Sequence, residues 1–344
     1  MKFAGRFDPV SRDEADSSAK VVLGDAYAED RKSRPARIRE VGLTGSKIFL
    51  HPPGGIAQSR PVEPLPADEI TRAVSAALAE DIGPGDATTL ATVPETSSAT
   101  ARLVARQELI VAGIDFAEAA FRHLSPAVQF IAFCPDGRRV AAGMDIARVH
   151  GPARALLTAE RVALNFVQRL SGVATLTARF VDAIQGTGAR ILDTRKTTPG
   201  WRRFEKYAVA CGGGKNHRVG LFDQILIKDN HLAALRGEKP NAIAAAVGRA
   251  RAAYPSLPVE VEADTLEQVE QAVAAGADLI LLDNMPVPVL RQAVQKIAGR
   301  AKAEASGGVT LATVRSIAEA GVDFVSVGAL THSAPAADVA LDFD

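Results

Sequence analysis

Between residues 190 and 327 the chain repeats one unit six times: a short apolar run of strand length, then a stretch with helical spacing. The strand candidates are 190–194, 224–228, 258–262, 278–283, 301–305 and 323–327. Helical patterns at 241–253, 266–275, 287–298 and 311–320 separate most of them. Strands joined by helical crossovers run parallel, because a tight hairpin can connect only antiparallel neighbours. Two architectures remain, a closed or nearly closed barrel and a doubly wound open sheet. The strand ends choose between them. Each is followed or closed by polar or small residues: Thr194-Arg195-Lys196, Lys228-Asp229, Glu262, Asp283, Ser306-Gly307-Gly308 and Gly328. A β/α barrel gathers all its C-terminal strand ends around one mouth. An open sheet would use only the strands at its switch point. The expectation is a barrel.

The chain upstream is organised differently. Residues 1–62 are polar, with scattered charge and little periodicity, and read as a poorly ordered extension. A helix is expected from Ala67, where Ile70, Ala73, Val74, Ala77 and Leu78 share one face. Short strands follow at 101–105, 109–112, 128–133 and 145–149, with a turn at Pro135-Asp136-Gly137. A long helical stretch at 158–184 carries Val162, Phe166, Val167, Leu170 and Val173 at helical spacing, with Gly172 a candidate break. The organisation expected is an extension at 1–62, a small α/β domain at 63–175 to which the C-terminus could return, and the barrel at 176–344.

Composition narrows the chemistry. Hydrophobic residues form 47% of the chain and aromatics only 5%, so aliphatic side chains fill the core, as α/β layers require. Lys+Arg and Asp+Glu balance at 40 each, which gives no general reason to expect nucleic acid as a partner. No run long enough to span a membrane occurs, and two cysteines are too few for a disulfide framework; a cytoplasmic protein is expected. An anion site must therefore be a local concentration of charge. Segment 193–231 is one, with eight Lys/Arg against four Asp/Glu, plus His217, His231 and the loop Cys211-Gly212-Gly213-Gly214. Arginine grips a carboxylate or phosphate with paired hydrogen bonds, and lysine adds a compact charge. Glu262 and Asp283 close apolar strands, where a carboxylate is costly unless paired or functional. They suit sugar hydroxyls, or a Mg²⁺ carrying a pyrophosphate; a salt bridge to Lys196 or Lys228 is the plainer alternative. Glu260 alternates with Glu262 on the same strand face, and the pattern leaves open which of the two enters the site. Small residues after the last two strands, at Ser306, Gly307, Gly308, Val327, Gly328 and Ala329, form a candidate phosphate cradle.

Three segments, Asp193-Thr194-Arg195-Lys196-Thr197-Thr198-Pro199-Gly200, Gly212-Gly213-Gly214-Lys215-Asn216-His217-Arg218 and Ile227-Lys228-Asp229-Asn230-His231, resemble the quinolinate phosphoribosyltransferases, also called nicotinate-nucleotide pyrophosphorylases (carboxylating). The resemblance continues at Glu80-Asp81, Gly85-Asp86, Glu160-Arg161, Leu282-Asp283-Asn284 and Ser306-Gly307-Gly308, and covers roughly residues 65–344. It implies an N-terminal α/β sandwich domain packed on an open, incomplete β/α barrel of about six parallel strands. It implies transfer of the phosphoribosyl group of 5-phosphoribosyl-1-diphosphate (PRPP) to quinolinate with loss of CO₂, a step of NAD biosynthesis, with Mg²⁺ accompanying PRPP. By position, Arg195, His217, Arg218 and Lys228 would line the quinolinate pocket, with Thr194 and Lys196 beside them. Arg161 would reach in from a second subunit of a homodimer or larger assembly. Glu262 and Asp283 would hold the ribose and Mg²⁺, forming with Lys196 the catalytic set. Ser306, Gly307, Gly308, Val327, Gly328 and Ala329 would bind the 5-phosphate. The sequence departs from the pattern at Ala210, where many members carry a base, and residues 1–62 have no counterpart.

Other readings are possible on residue type. The same fold could serve another acceptor, such as nicotinate or the substrate of a molybdenum-operon relative; the four cations Arg161, Arg195, Arg218 and Lys228 favour a dicarboxylate. A Schiff-base aldolase using Lys228 or Lys196 would need a lysine with a lowered pKa. A non-enzymatic binding protein sits poorly with charged or polar groups at every strand end.

Overall fold

The computed structural model describes residues 62–344; residues 1–61, nearly all of the expected extension, lie outside the described residues. Helix Ala67–Ile82 buries Ile70, Val74 and Leu78, the stripe its spacing predicts. After a short helix, Ala87–Thr92, come strands β1 (Ser98–Ala105), β2 (Leu109–Ile110), β3 (Gln129–Ala132), β4 (Arg139–Val140) and β5 (Asp145–Pro152). Helix Ile114–Leu124 lies between β2 and β3, and helix Ala153–Ala183 follows β5. The barrel strands are β6 (Arg190–Leu192), β7 (Ile225–Ile227), β8 (Val259–Ala263), β9 (Leu279–Asp283), β10 (Lys302–Ser306) and β11 (Phe324–Ser326); β12 (Val339–Phe343) ends the chain.

The first sheet is antiparallel, ordered β12-β1-β5-β3. Its edge strand β12 returns from the far end of the chain and pairs with β1 from Ala101↔Phe343 to Ala105↔Val339. The second sheet is parallel, ordered β6-β11-β10-β9-β8-β7. The edge strands β6 and β7 are consecutive in sequence yet do not pair, so the barrel is open at that seam. Part of the β6 edge is occupied by an irregular segment: Lys215 N donates to Ile191 O at 2.8 Å, and Asp193 N donates to Lys215 O at 3.2 Å.

Helix Ala153–Ala183 is a single element of 31 residues, not two pieces divided at Gly172. That glycine serves packing. A Cβ placed there would stand 2.0 Å from Pro335 O and 3.1 Å from Ala336 Cα, where the chain crosses on its way to β12. Segment 193–231 also holds a helix that is not among the helical patterns expected from the sequence. This helix, Arg202–Cys211, buries Phe204, Ala208, Val209 and Cys211 and packs on helix Ala153–Ala183. Phe116, Phe166, Trp201 and Phe204 stack or meet edge-on at 4.7–5.9 Å at this junction.

Candidate active site

A cleft of about 590 Å³ opens at the C-terminal ends of the parallel strands. It is lined after β6 by Thr194, Arg195 and Lys196, after β7 by Lys228, at β8 by Glu262, at β9 by Asp283 and Asn284, and at β10 by Ser306, Gly307 and Gly308. His217, Arg218, Glu304 and Ser326 complete its polar wall. A larger hollow of about 700 Å³ is lined by Ala73, Ala76, Ala77 and Phe166 on the upstream helices and by Trp201 after β6, with Arg72 its one base. It lacks a convergent set of cations and is not the site for a polyanion.

The eight bases of segment 193–231 separate into two groups. Arg195, Lys196, Arg218 and Lys228 face the cleft. The others serve elsewhere. Lys206 is buried and donates to Asp193 Oδ1 at 2.5 Å, Arg203 pairs with Glu69 at 2.7 Å, and Arg202 donates to Thr197 Oγ1 at 3.0 Å. Lys215 flanks the β6 edge. Asp193 is therefore a brace. Besides Lys206 it accepts from Asn216 Nδ2 at 2.7 Å and from the His217 backbone N–H at 2.8 Å, which holds the 215–218 segment against β6. Burial pushes the Asp193 carboxyl up and the Lys206 ammonium down, while their attraction works against both shifts.

Like charges are crowded in the cleft. Burial, then the Arg195 guanidinium, lower the pKa of Arg218. Arg195 Nε is buried with no partner among the described residues. Two guanidiniums held together in this way favour an anion between them. Glu262 accepts from Lys228 Nζ at 2.5 Å, so the salt bridge expected as the plainer alternative exists inside the cleft. Asp283 accepts from Asn284 Nδ2 at 2.7 Å. Asn284 stands at φ 53° and its amide donates to Ser306 O at 2.9 Å. The Asn284 side chain fills the space over Gly307, where a Cβ would lie 2.1 Å from its Oδ1. With φ at 99°, that position requires glycine.

Both inward glutamates of β8 point to the barrel axis at different depths. Glu262 reaches the mouth, whereas Glu260 is fully buried one layer below. Glu260 accepts from Gln224 Nε2 at 2.7 Å and from His217 Nε2 at 3.1 Å. Glu304, a residue the sequence reading passed over, is also fully buried, 3.5 Å from His217 Nε2 and hydrogen-bonded to Ser326 Oγ. Period-two alternation with Ser306 was the signal that could have found it. His217 lines the cleft with both ring nitrogens already engaged, since Nδ1 accepts from Arg218 N at 2.7 Å. It lines the cleft, as expected of it.

Arg161 is outside this cleft. It projects from helix Ala153–Ala183 into a separate hollow with Asp81, Asp86 and Thr158. Val327 and Ala329 do not line the cleft either; Gly328 borders it, since a Cβ there would meet Lys196 Cδ at 3.2 Å. Ala210 faces a different hollow, near Pro64 and Tyr207, so its departure from the family pattern leaves the cleft untouched.

Two family descriptions match the chain, quinolinate phosphoribosyl transferase N-terminal domain over residues 86–171 and C-terminal domain over residues 173–342. The chain belongs to the quinolinate phosphoribosyl transferase family. The junction between the two matches falls at Gly172, inside the continuous 31-residue helix, so one rigid element is shared by both family domains. A Bacillus subtilis relative described as a probable carboxylating nicotinate-nucleotide pyrophosphorylase is 46% identical over 264 residues, 76% of this chain and 89% of its own length. A rice chloroplastic nicotinate-nucleotide pyrophosphorylase is 43% identical over 295 residues, 81% of this chain and 79% of its own. The solved Francisella tularensis nicotinate-nucleotide pyrophosphorylase superposes with a TM-score of 0.77 at 40% identity, covering 83% of this chain and all of that one. Among the described residues no helix is long and apolar enough to cross a membrane.

Proposed function

We propose that this chain is a quinolinate phosphoribosyltransferase: it transfers the phosphoribosyl group of PRPP to quinolinate, releasing pyrophosphate and CO₂ and forming nicotinate mononucleotide for NAD synthesis. One observation carries the reading. Four cations and the strand-end carboxylates Glu262 and Asp283 converge on a single cleft, each from a strand end or the loop beside it. Arg195 and Arg218, crowded together, suit the two ring carboxylates, with Lys196 and Lys228 completing the cationic wall. They would fix the pyridine so that its N1 lone pair faces the sugar carbon. The N1–C1 bond forms as the bond from C1 to the pyrophosphate oxygen breaks. Glu262 and Asp283 suit the sugar side, where positive charge develops at C1. The ring, now cationic at N1, accepts the electron pair left when the neighbouring carboxylate departs as CO₂, and C2 then takes up a proton. No general base is needed, because N1 attacks through a free lone pair. The turn Ser306-Gly307-Gly308 suits the 5-phosphate through its backbone amides.

Glu262 and Asp283 end adjacent strands and offer hard oxygen donors, which fits Mg²⁺ arriving with PRPP. When bound, the ion would neutralise charge on the pyrophosphate. Lys228 would have to release Glu262 for that role. We further assign a homodimer or larger assembly in which Arg161 completes the partner's cleft. Two buried free cysteines suit a reducing compartment such as the cytoplasm.

Incubation with PRPP, Mg²⁺ and quinolinate is expected to give nicotinate mononucleotide, CO₂ and pyrophosphate in equal amounts, and nicotinate in place of quinolinate is expected to give none. Turnover of nicotinate without CO₂ from quinolinate would establish the other-acceptor reading and reject this one.

A further inference from the structure

Beneath the cationic wall lies a polar cluster that the reaction described above does not use. His217 Nε2, one oxygen of Glu260 and one of Glu304 all lie within 4.8 Å of each other. The remaining oxygens, Glu260 Oε1 and Glu304 Oε2, are buried and have no partner among the described residues. Gln224 holds Glu260 from one side and Ser326 holds Glu304 from the other. Two buried carboxylates this close cannot both stay ionised without a cation or a proton between them. A metal ion would need the Nε2 lone pair of His217. Because Nδ1 accepts the Arg218 amide, Nε2 carries the ring proton and has no lone pair to give. A proton is therefore the simpler bridge.

We propose that Glu260 and Glu304 are positioning residues that share one proton and clamp His217 from below, fixing its tautomer and, through Nδ1 and the Arg218 amide, the turn that aims Arg218 into the substrate cleft. The turn is held at two points. Asp193 takes the His217 backbone N–H, and the imidazole takes the next one along the chain. Releasing the ring would leave Arg218 tied mainly through its hydrogen bond to Gln224 O. The groups facing Glu304 are Glu260 on β8, Ser326 on β11 and His217, with apolar Leu281 beside it on β9; Lys206 and Arg218 act from further off on His217 and Glu260. Burial first, then Glu260, push the Glu304 carboxyl up to about 8, which keeps it protonated at neutral pH. The opposed carboxylates raise the pKa of His217 against the effect of burial, while the amide on Nδ1 resists a second ring proton.

The inference rests on quinolinate being the ligand, but its main readout does not. In ¹⁵N spectra of histidine-labelled enzyme, His217 is expected as the neutral Nε2–H tautomer. Glu304→Leu, which deletes the clamp, should shift that signal and weaken quinolinate binding at least about tenfold, the effect of losing one charge-assisted hydrogen bond, with PRPP binding little changed. Glu304→Gln retains a donor and an acceptor and should recover most of the affinity. Above pH 8 the wild type should lose quinolinate affinity as Glu304 ionises, and Glu304→Gln should not. A Glu304→Leu enzyme that keeps the wild-type His217 signal and quinolinate affinity would overturn the proposal. So would an unchanged alkaline loss in Glu304→Gln, or stoichiometric Mn²⁺ binding lost in that variant. Thermal unfolding of each variant separates a positioning effect from misfolding. Should the wild type release no CO₂ from quinolinate, the substrate assignment fails while the His217 tautomer still tests the clamp.

Discussion

Arg195 shows how a side chain can matter to the cleft while leaving the fold alone. Its backbone carbonyl accepts from Thr197 N at 3.0 Å, so the turn after β6 is built without the guanidinium. Arg195→Ala should leave stability within about 0.5 kcal/mol of wild type, as for most substitutions away from core contacts. Removing paired charge-assisted hydrogen bonds at about 1.5 kcal/mol each should weaken quinolinate binding roughly a hundredfold. Calorimetric titration checks the second expectation and thermal denaturation the first; near-normal affinity would remove Arg195 from the pocket. At this scale the sequence was informative wherever a charge followed an apolar run, as at Arg195, Lys228, Glu262 and Asp283. It was silent about partners. Nothing in the string Lys-Ala-Glu-Ala-Ser says that Glu304 meets His217 from 87 residues away, because that contact exists only once β10 and the 215–218 segment enclose the same interior. Lys206 misled for the same reason: a lysine in a basic segment reads as ligand-facing until Asp193 is found 2.5 Å from it.

Among the elements, the parallel strands were legible because each is a short apolar run between helical patterns, and the observed strands lie within or near those runs. Helix Arg202–Cys211 was hidden because its charged residues and the following glycines resemble a loop, although Phe204, Ala208 and Cys211 keep helical spacing. Return of β12 to β1 is a pairing across more than 200 residues, which no local pattern encodes. Glycines inside helices make the distinction testable. At Gly172 helix propensity would favour alanine by about 1 kcal/mol, but the methyl would strike the Pro335 carbonyl at 2.0 Å. Overpacking should win, so Gly172→Ala should lower stability by about 1–3 kcal/mol. Gly248, in helix Ala242–Ala253, has open space where its Cβ would lie. Gly248→Ala should therefore stabilise by about 0.5–1 kcal/mol. Denaturant unfolding of the two variants should move in opposite directions; a stabilised Gly172→Ala would show that the crossing at Pro335 yields easily.

For the whole molecule, the position of Arg161 is the informative fact. It sits on the rigid helix that spans both family domains, yet it faces Asp81 and Asp86 rather than the cleft of its own subunit. Arg161 lines a separate hollow and not the cleft of its own subunit, so the proposed substrate contact from Arg161 calls for a second copy. A shared site makes an asymmetric demand on mixtures. If the cleft is shared as proposed, Arg161→Ala removes the group a subunit lends and Lys228→Ala one it keeps, so each variant alone should be inactive. In a mixed dimer one cleft lacks both groups, and the other has its own Lys228 and borrows an intact Arg161. Equal mixing after subunit exchange should make about half the dimers hybrid, each with one working cleft, and restore about a quarter of wild-type activity. Restoration should fall as either variant is placed in excess, because hybrids become rarer. If Arg161 acted within its own subunit, or only through the fold, no mixture would recover activity.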